Sequence, residues 1–187
     1  MGFFSSLFKR NSDHHELSDS SGRKSAPNVT PANADVTLYA PVTGTLLPLE
    51  EVPDIVISEK VMGEGVAVVP DSESIVAPCD GVISRLLPTK NAFAVRMDNG
   101  LEIYVSFGVE SMELRGEGFA TKVALGDQVK RGDPVLQTDT RLIASRIKSP
   151  ITSMIVIKSS GKIAKVTNAS GKCNAGLSPV VWISLAQ

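Results

Sequence analysis

The feature that most constrains this chain is the spacing of its glycines and prolines from Val36 onward. They interrupt short segments rich in Val, Ile and Thr at intervals of roughly eight to twelve residues, a spacing typical of all-β domains. β-Branched residues favour strands, and segments this short leave little room for long helices. Residues 36–187 are therefore predicted to form an all-β domain with a sandwiched or closed antiparallel architecture.

Individual elements follow from the same pattern. The turn Asp98-Asn99-Gly100 predicts a hairpin between two of the strands. One short helix is predicted over Thr140–Lys148, with Asp139 as its N-cap and Pro150 just beyond its end. The predicted strands are Thr37–Tyr39, Gly44–Pro48, Gly65–Val69, Ser74–Ala77, Gly81–Leu86, Ala92–Arg96, Glu102–Phe107, Phe119–Val123, Pro134–Asp139, Thr152–Ile157 and Pro179–Ser184.

A short repeat supports this organisation. The run Ala40–Leu46 recurs at Ala77–Ile83, and a weaker copy at Ser149–Ile155 has Ser where the others have Gly. Each copy is predicted to be a Pro-led turn with a positive-φ residue that leads into a strand.

The N-terminal residues differ from the rest in composition. Residues 11–35 are mostly small, polar or charged, and such a segment buries too little apolar surface to fold, so a disordered linker is predicted. Residues 1–10 form a short amphipathic segment that ends in Lys9 and Arg10. Two interpretations of this segment stay open: a frayed terminus, or a weak membrane-docking anchor. Its apolar side chains are Phe3, Phe4, Leu7 and Phe8.

Charge, cysteine and histidine counts exclude several kinds of protein. Nineteen basic and twenty acidic residues give a formal net charge of −1, which argues against a nucleic-acid partner. Two cysteines are too few for a disulfide framework. The only two histidines are His14 and His15, so residues 36–187 have no imidazole for catalysis or metal binding. No apolar run is long enough to span a bilayer, and a cytoplasmic location is expected, with weak contact to the inner face of the membrane through residues 1–10 as an option.

The remaining motifs point to no enzyme active site. Two Gly-Glu-Gly runs, at 63–65 and 116–118, each lead into a predicted strand, whereas phosphate-binding loops lead into a helix. Cys79 and Cys173 have no histidine to activate them and are predicted to be bystanders. From the residues alone, the chain is a β-domain without an assigned activity.

A family resemblance adds to this interpretation. Several runs occur together in the order and spacing of one family, and with them residues 38–187 resemble the glucose-type enzyme IIA of the bacterial phosphoenolpyruvate-dependent sugar phosphotransferase system. The resemblance implies a compact antiparallel β-sandwich with its active site in a shallow surface depression. The runs are Ala40-Pro41 with Gly44, Glu51-Val52-Pro53-Asp54, Glu59-Lys60 with Gly63, Val76-Ala77-Pro78 with Asp80-Gly81, Asn91-Ala92-Phe93, Phe107-Gly108-Val109 and Glu113–Phe119.

The resemblance also identifies the positions of the active site. Members accept a phosphoryl group on one histidine, supported by a second, and pass it to a sugar-permease domain. The acceptor of a Val-His-Phe-Gly run is matched here by Ser106, and the supporting histidine by Asn91, while the neighbouring Thr89 is kept. With both histidines replaced, no catalytic residue, cofactor or metal is expected, and the zinc-bridged contact of relatives should be missing.

What the resemblance leaves is a surface for partners. Two acidic positions, Asp54 and Glu110, match residues that face basic carriers in relatives. The implied partners are the carrier protein and sugar-permease domains of the system, or regulated permeases and metabolic enzymes. The positions that match the apolar rim are Ile55, Val56, Ile57, Val61, Met62, Leu87, Phe93 and Tyr104.

Three functions are distinguishable on these grounds. The preferred hypothesis is an enzyme IIA homologue that cannot carry phosphate and acts by binding proteins. The alternative is a working phosphocarrier for sugar uptake that uses Ser106 or another route. A lipoyl- or biotinyl-carrier is disfavoured, because the Met-Lys-Met and Asp-Lys-Ala motifs that such carriers modify are missing from the sequence.

Overall fold

The computed structural model describes residue 31 and residues 33–186 of the chain. The segment 1–10, with its predicted docking residues, and most of the predicted linker 11–35 lie outside the described residues. Those two predictions remain predictions.

Short strands dominate the described residues. Two one-turn α-helices interrupt them, α1 (Ile55–Ser58) and α2 (Thr140–Ile143), together with 3-10 turns at Leu49–Glu51 and Ser111–Leu114. Within the described range, no helix has the length and apolar character needed to cross a membrane. The strands are β1 (Val36–Tyr39), β2 (Gly44–Pro48), β3 (Gly63–Pro70), β4 (Ser74–Val76), β5 (Gly81–Leu86), β6 (Ala92–Arg96), β7 (Glu102–Val109), β8 (Phe119–Thr121), β9 (Gln128–Val129), β10 (Pro134–Thr138), β11 (Ser149–Ile157), β12 (Ile163–Asn168), β13 (Gly171–Cys173) and β14 (Pro179–Leu185).

Three antiparallel sheets build the fold. The largest has the order β13-β2-β3-β11-β7-β6-β5-β9, and the two smaller ones have the orders β1-β14-β12 and β4-β10-β8. Side chains of all three sheets meet in one hydrophobic core, as Leu38, Leu136 and Phe107 illustrate. The prediction of an antiparallel β-sandwich is confirmed.

The central strand β6 is buried on both faces. Residues Ala92 to Val95 are all inaccessible to solvent, and Phe93 belongs to the main core with an exposed fraction of 0%. The interpretation of Phe93 as a residue of the apolar rim is therefore wrong. Its ring points between the sheets, because residues of a strand alternate between faces and this face is the covered one.

The opposite face of the large sheet carries a second, smaller core. Ala67 of β3 and Ile155 of β11 pack there against Leu49 and Val52, which lie between β2 and α1. The segment that contains α1 thus covers part of the large sheet. The other part of this face stays open, and the candidate site lies there.

Most strand predictions agree with the structure to within a few residues, and the differences have local causes. The hairpin turn at Asp98-Asn99-Gly100 is confirmed, with the Leu101 N–H donating to Asn99 Oδ1 (3.0 Å). Helix α2 begins after the predicted cap Asp139 but ends at Ile143, because the chain then turns so that the Lys148 N–H donates to the Val109 carbonyl. The short strands β9, β12 and β13 were not predicted.

The prediction for the repeat holds for only part of it. Its first two copies lead into β2 and β5, as expected, and Gly81 of the second copy has a positive φ (158°), whereas Gly44 and Ser153 do not. Gly44 is required by close packing, since a Cβ there would lie 2.1 Å from the Val69 carbonyl oxygen on the paired strand. The third copy forms part of the continuous strand β11.

Two of the predicted rim residues provide a stability test. Replacing the buried Phe93 with Ala should lower the free energy of unfolding by about 3–5 kcal/mol, since it leaves a cavity in the core. Replacing Ile55, which is 72% exposed, with Ala should change it by less than about 0.5 kcal/mol. Urea unfolding of both variants measures the difference, and equal losses would contradict this description of the core.

Candidate functional site

The pairing of β6 with β7 brings the two predicted active-site positions together. Ala92 lies directly opposite Ser106 in this pair. One residue earlier, the Asn91 carbonyl accepts a hydrogen bond from the Phe107 N–H (2.8 Å). Asn91, which immediately precedes β6, and Ser106 of β7 are therefore near neighbours, held by the main chain.

The side chain of Asn91 is fixed by two hydrogen bonds. It is 4% exposed, its Oδ1 accepts from the Thr89 hydroxyl (2.6 Å), and its Nδ2 donates to Ser111 Oγ (2.9 Å). Ser111 in turn donates its hydroxyl hydrogen to the Phe107 carbonyl (2.5 Å). The carboxamide thus ties the start of β6 to the turn that follows β7, and both of its polar atoms are in use.

Ser106 points away from the main core. Its neighbours Val105 and Phe107 belong to that core, so strand alternation places Ser106 on the opposite face. It is half-buried, and its hydroxyl makes no hydrogen bond to any other described residue. Opposite it on β11 lies Ser153, which is 1% exposed and whose Oγ is likewise without a partner among those residues. Within the described part of the chain, Ser106 Oγ therefore has no base in hydrogen-bonding contact.

A buried carboxylate shares this face of β7. Glu102 Oε1 accepts from Ser84 (2.6 Å), and its two oxygens accept from the Arg85 guanidinium (3.3 and 3.2 Å), with Arg96 at 3.6 Å. Burial raises the pKa of Glu102, but hydrogen bonds from Ser84 and Arg85 outweigh it, so that the pKa lies below its ordinary value. The carboxylate is thus held ionised and is fully committed to its partners.

Three of the predicted rim residues line one open pocket. Met62, Leu87 and Tyr104 contribute to a cavity of about 430 Å³, which Arg85 and Leu125 also border. Burial raises the pKa of the Tyr104 hydroxyl, and the charge of Arg85 offsets part of this rise. The pocket is mainly apolar in its side chains, with a cationic edge.

Helix α1 presents apolar side chains to solvent. Asp54 caps it by accepting from the N–H groups of Val56 (2.9 Å) and Ile57 (3.2 Å). Ile55, Val56 and, just after the helix, Val61 are 72%, 45% and 53% exposed, whereas Ile57 packs against the second core. Asp54 thus acts as the N-cap of α1 and thereby fixes the turn that carries the exposed side chains.

The last predicted position, Glu110, lies at the end of β7. It is exposed, has a left-handed backbone (φ 65°) and immediately precedes Ser111, the partner of the Asn91 amide. The sharp turn at Glu110 is what returns the chain so that Ser111 reaches the Phe107 carbonyl.

Several residues of this site were not predicted. Glu102, Tyr104 and Ser106 alternate along β7 and share one face, so period-two spacing could have identified Glu102 as their neighbour. Ser111 and Ser153 carry no such signal, because they come from a turn and from a distant strand. Only the tertiary structure places them.

The cysteines and the acidic residues provide no further candidate for a nucleophile or a metal site in the described part of the chain. Burial, with a smaller effect of Asp80, raises the pKa of the Cys79 thiol to about 12, and burial also raises that of Cys173. Both thiols therefore stay protonated at neutral pH, which agrees with the prediction that neither is a nucleophile. Within residues 33–186, no three His, Cys, Asp or Glu side chains gather in a group that could hold a metal ion.

Comparison with known proteins gives consistent similarities. A family described as the phosphoenolpyruvate-dependent sugar phosphotransferase system, EIIA 1, matches residues 36–162. The glucose-specific EIIA component of Haemophilus influenzae is 42% identical over 149 residues, covering 80% of this chain and 89% of that protein. The corresponding protein of Buchnera aphidicola is 32% identical over 176 residues, with 94% and 95% covered.

The fold has a counterpart among solved structures. The glucose permease IIA from Mycoplasma capricolum superposes with a TM-score of 0.72 at 28% identity, covering 78% of this chain and 94% of that one.

The buried carboxylate predicts a pH dependence of stability. Because the pKa of Glu102 is lowered in the folded state, its contribution is complete above the unfolded pKa and is lost as pH falls through the folded one. Glu102→Gln should therefore be less stable than the unmodified protein at pH 7, and the gap should shrink as pH falls below about 4.3.

Urea unfolding at pH 7 and in the acid range measures this gap. Glu51→Gln, at an exposed position, is the control and should change the free energy of unfolding by less than about 0.5 kcal/mol at pH 7. A gap for Glu102→Gln that stays constant with pH would contradict the assignment of an ionised, buried Glu102.

Proposed function

The chain belongs to the EIIA family of the phosphoenolpyruvate-dependent sugar phosphotransferase system, and from this premise we propose that it is a member that binds proteins without carrying phosphate. The observation that carries the proposal is the pair Ser106 and Asn91. By the resemblance of their flanking residues, they occupy the positions of the phosphoryl-accepting and supporting histidines. Neither Ser106 nor Asn91 has the imidazole that the family uses to accept and pass on a phosphoryl group.

The difference lies in the acceptor atom. A phosphorylated imidazole has a labile P–N bond, so it can both receive and release the phosphoryl group. A serine hydroxyl must be deprotonated as it attacks, and the ester it forms would release a poor alkoxide leaving group. Ser106 Oγ has no hydrogen-bonded base among the described residues, so this first step lacks its catalyst.

The supporting position is altered as well. The Asn91 amide carries no charge at any ordinary pH, and its two polar atoms are bonded to Thr89 and Ser111. Only the second N–H of Nδ2 is left, and this uncharged donor stabilises the charge on a transferring phosphoryl group less than an imidazolium would. An amide and a hydroxyl are also unsuitable ligands for the zinc ion that relatives bind through the two histidines.

The surface around this position fits a protein partner. We define the docking surface as Ile55, Val56, Val61, Met62, Leu87 and Tyr104, which are exposed or line the adjoining pocket. Exposed apolar side chains next to Asp54 suit the apolar centre and charged rim of a protein interface, and Glu110 is a further exposed acidic residue at the end of β7. The partners we propose are the phosphocarrier protein and sugar-permease domains of the system, or permeases and metabolic enzymes that it regulates.

One observation favours a second function. Ser106 is only half-buried and its Oγ is without a partner among the described residues, so a phosphoryl donor could reach it. A chain that uses this oxygen would be a working phosphocarrier with an acid-stable phosphoserine. The stability of the linkage in acid separates this alternative from histidine chemistry.

Phosphoryl transfer to the purified chain is the direct test. With labelled phosphoenolpyruvate and the two upstream carrier proteins, the unmodified protein should gain no label, acid-labile or acid-stable. The variant that combines Ser106→His with Asn91→His should gain acid-labile label, because it restores the acceptor and its support on the same strands.

Two controls complete this experiment. Ser106→His alone should gain less label than the double variant, since the supporting group is missing. Acid-stable label on the unmodified protein that disappears in Ser106→Ala would overturn the proposal in favour of the phosphocarrier.

The docking surface has its own prediction. Ile55→Ser with Val61→Ser should weaken binding of the phosphocarrier protein by at least about tenfold, since two apolar contacts of roughly 0.7 kcal/mol or more are removed. Leu177→Ser, at a position 75% exposed in the turn before β14, is the matched control and should bind normally. Isothermal titration calorimetry measures both, and equal affinities would argue against this surface.

A further inference from the structure

A second surface feature lies where the two sides of the sandwich diverge. An open groove of about 630 Å³ runs between β3 and β11 of the large sheet and β12 of a small sheet. Val156, Ile163 and Val166 contribute apolar side chains to it, and Gly63 and Gly161 leave its walls open. It is large enough for a small molecule.

The charged residues that border the groove are mainly lysines. Lys60, Lys158, Lys162 and Lys165 line it, with Glu64 as the single acidic residue. We call it the lysine groove. Since the formal charge of the chain is close to zero, this concentration of positive charge is a local feature rather than a property of the whole surface.

The four lysines are not equivalent. Lys60 Nζ is already paired with Glu50 (2.6 Å) and Glu64 (2.9 Å), and this pairing stabilises the turn before β3. Lys158, Lys162 and Lys165 are exposed and form no ion pair with other described residues. Lys165 alternates with Val166 on β12 and also borders a separate cavity with Thr167 and Ser184, so the two ammonium groups of Lys158 and Lys162 are the ones available for a ligand.

The main chain that carries these lysines is well anchored. Asn168 at the end of β12 donates from Nδ2 to the Gly65 carbonyl of β3 (2.6 Å), which joins the two sheets beside the groove. The Lys158 N–H donates to the Met62 carbonyl (3.0 Å), and the Lys162 carbonyl accepts from Ala186. The lysine backbones are therefore fixed, and only their flexible side chains need to order on binding.

We propose that the lysine groove binds a phosphate-bearing ligand. Neighbouring ammonium groups repel one another, and an anion with several acceptor oxygens relieves this repulsion while forming charge-assisted hydrogen bonds. Lysine binds phosphate as a point charge and does not require the fixed geometry of arginine. The phosphate belongs to a free small molecule or to a lipid headgroup.

This site is separate from the one that contains Ser106. Val156 and Glu64 are paired residues of β11 and β3, and they alternate with Ile155 and Gly65. Ser153 lies opposite Ser106 and shares its face of the sheet. Val156 is three residues further along the same strand, and an odd separation places it on the other face. The groove and Ser106 are therefore on opposite faces of the sheet. The inference therefore does not depend on the proposed function.

The test uses the full chain and two probes. Inorganic pyrophosphate is titrated while amide chemical shifts are recorded, and vesicles of phosphatidylcholine with or without phosphatidylglycerol are tested by flotation. At least one probe should bind, with shifts or protection centred on residues 158–166 and with an affinity that falls as salt is added. Pyrophosphate binding identifies a free ligand as the source, and binding only to phosphatidylglycerol vesicles identifies a lipid headgroup.

Matched variants separate this site from general attraction of anions. Lys158→Gln with Lys162→Gln should weaken binding by at least about tenfold, the loss expected when two charge-assisted hydrogen bonds are removed. Lys122→Gln with Lys148→Gln removes the same charge from exposed lysines elsewhere and should leave the affinity unchanged. Equal weakening in both pairs, or binding of neither probe, would overturn the proposal.

Discussion

Antiparallel pairing of β6, β7 and β11 is the constraint on which the described features depend. Because side chains alternate strictly between the two faces of these strands, the register decides which residues enter the core and which face the open side. With Ala92, Ser106 and Ser153 in one row, the neighbouring row contains Phe93, Val105 and Met154, all buried. A slip by one residue would exchange these rows, so the buried apolar row fixes the position of Ser106.

How far the sequence predicts this fold depends on the element. Strands with Val and Ile at alternate positions were predicted well, and so was the hairpin at Asp98-Asn99-Gly100, because their signals are local. Strand β12 was not predicted because its lysines and neighbouring glycines are typical of a loop. It forms through tertiary contacts, namely its pairing with β14 and the hydrogen bond from Asn168 to β3. Helix α1 was missed because Ile-Val-Ile favours strands, whereas the cap by Asp54 favours a helical turn.

The candidate site also contains residues that the sequence identified and residues that only the structure shows. The resemblance of flanking residues identified Ser106 and Asn91, and the structure adds how they are held. Ser111 could not be inferred, since its contact with Asn91 requires the left-handed turn at Glu110 to bring the chain back. Phe93 was assigned to the rim because its position matches the rim of the family, and only its burial in the main core, at an exposed fraction of 0%, corrects this.

The docking surface and the lysine groove share strands of the large sheet but lie on different faces of it. Along β11, Ile155 packs in the second core on the side of Ser106, whereas Val156 next to it borders the lysine groove. They come together at the turn 60–63, where Lys60 lines the groove and Val61 belongs to the docking surface, and beside it at Ile157, which lines the docking-surface pocket next to the groove residue Lys158. There the pairing of Lys60 with Glu50 and Glu64 holds the turn in place, and close-packed cores do not deform continuously. A small anion in the groove would therefore leave the docking surface unchanged, unless it competed with those two carboxylates for Lys60.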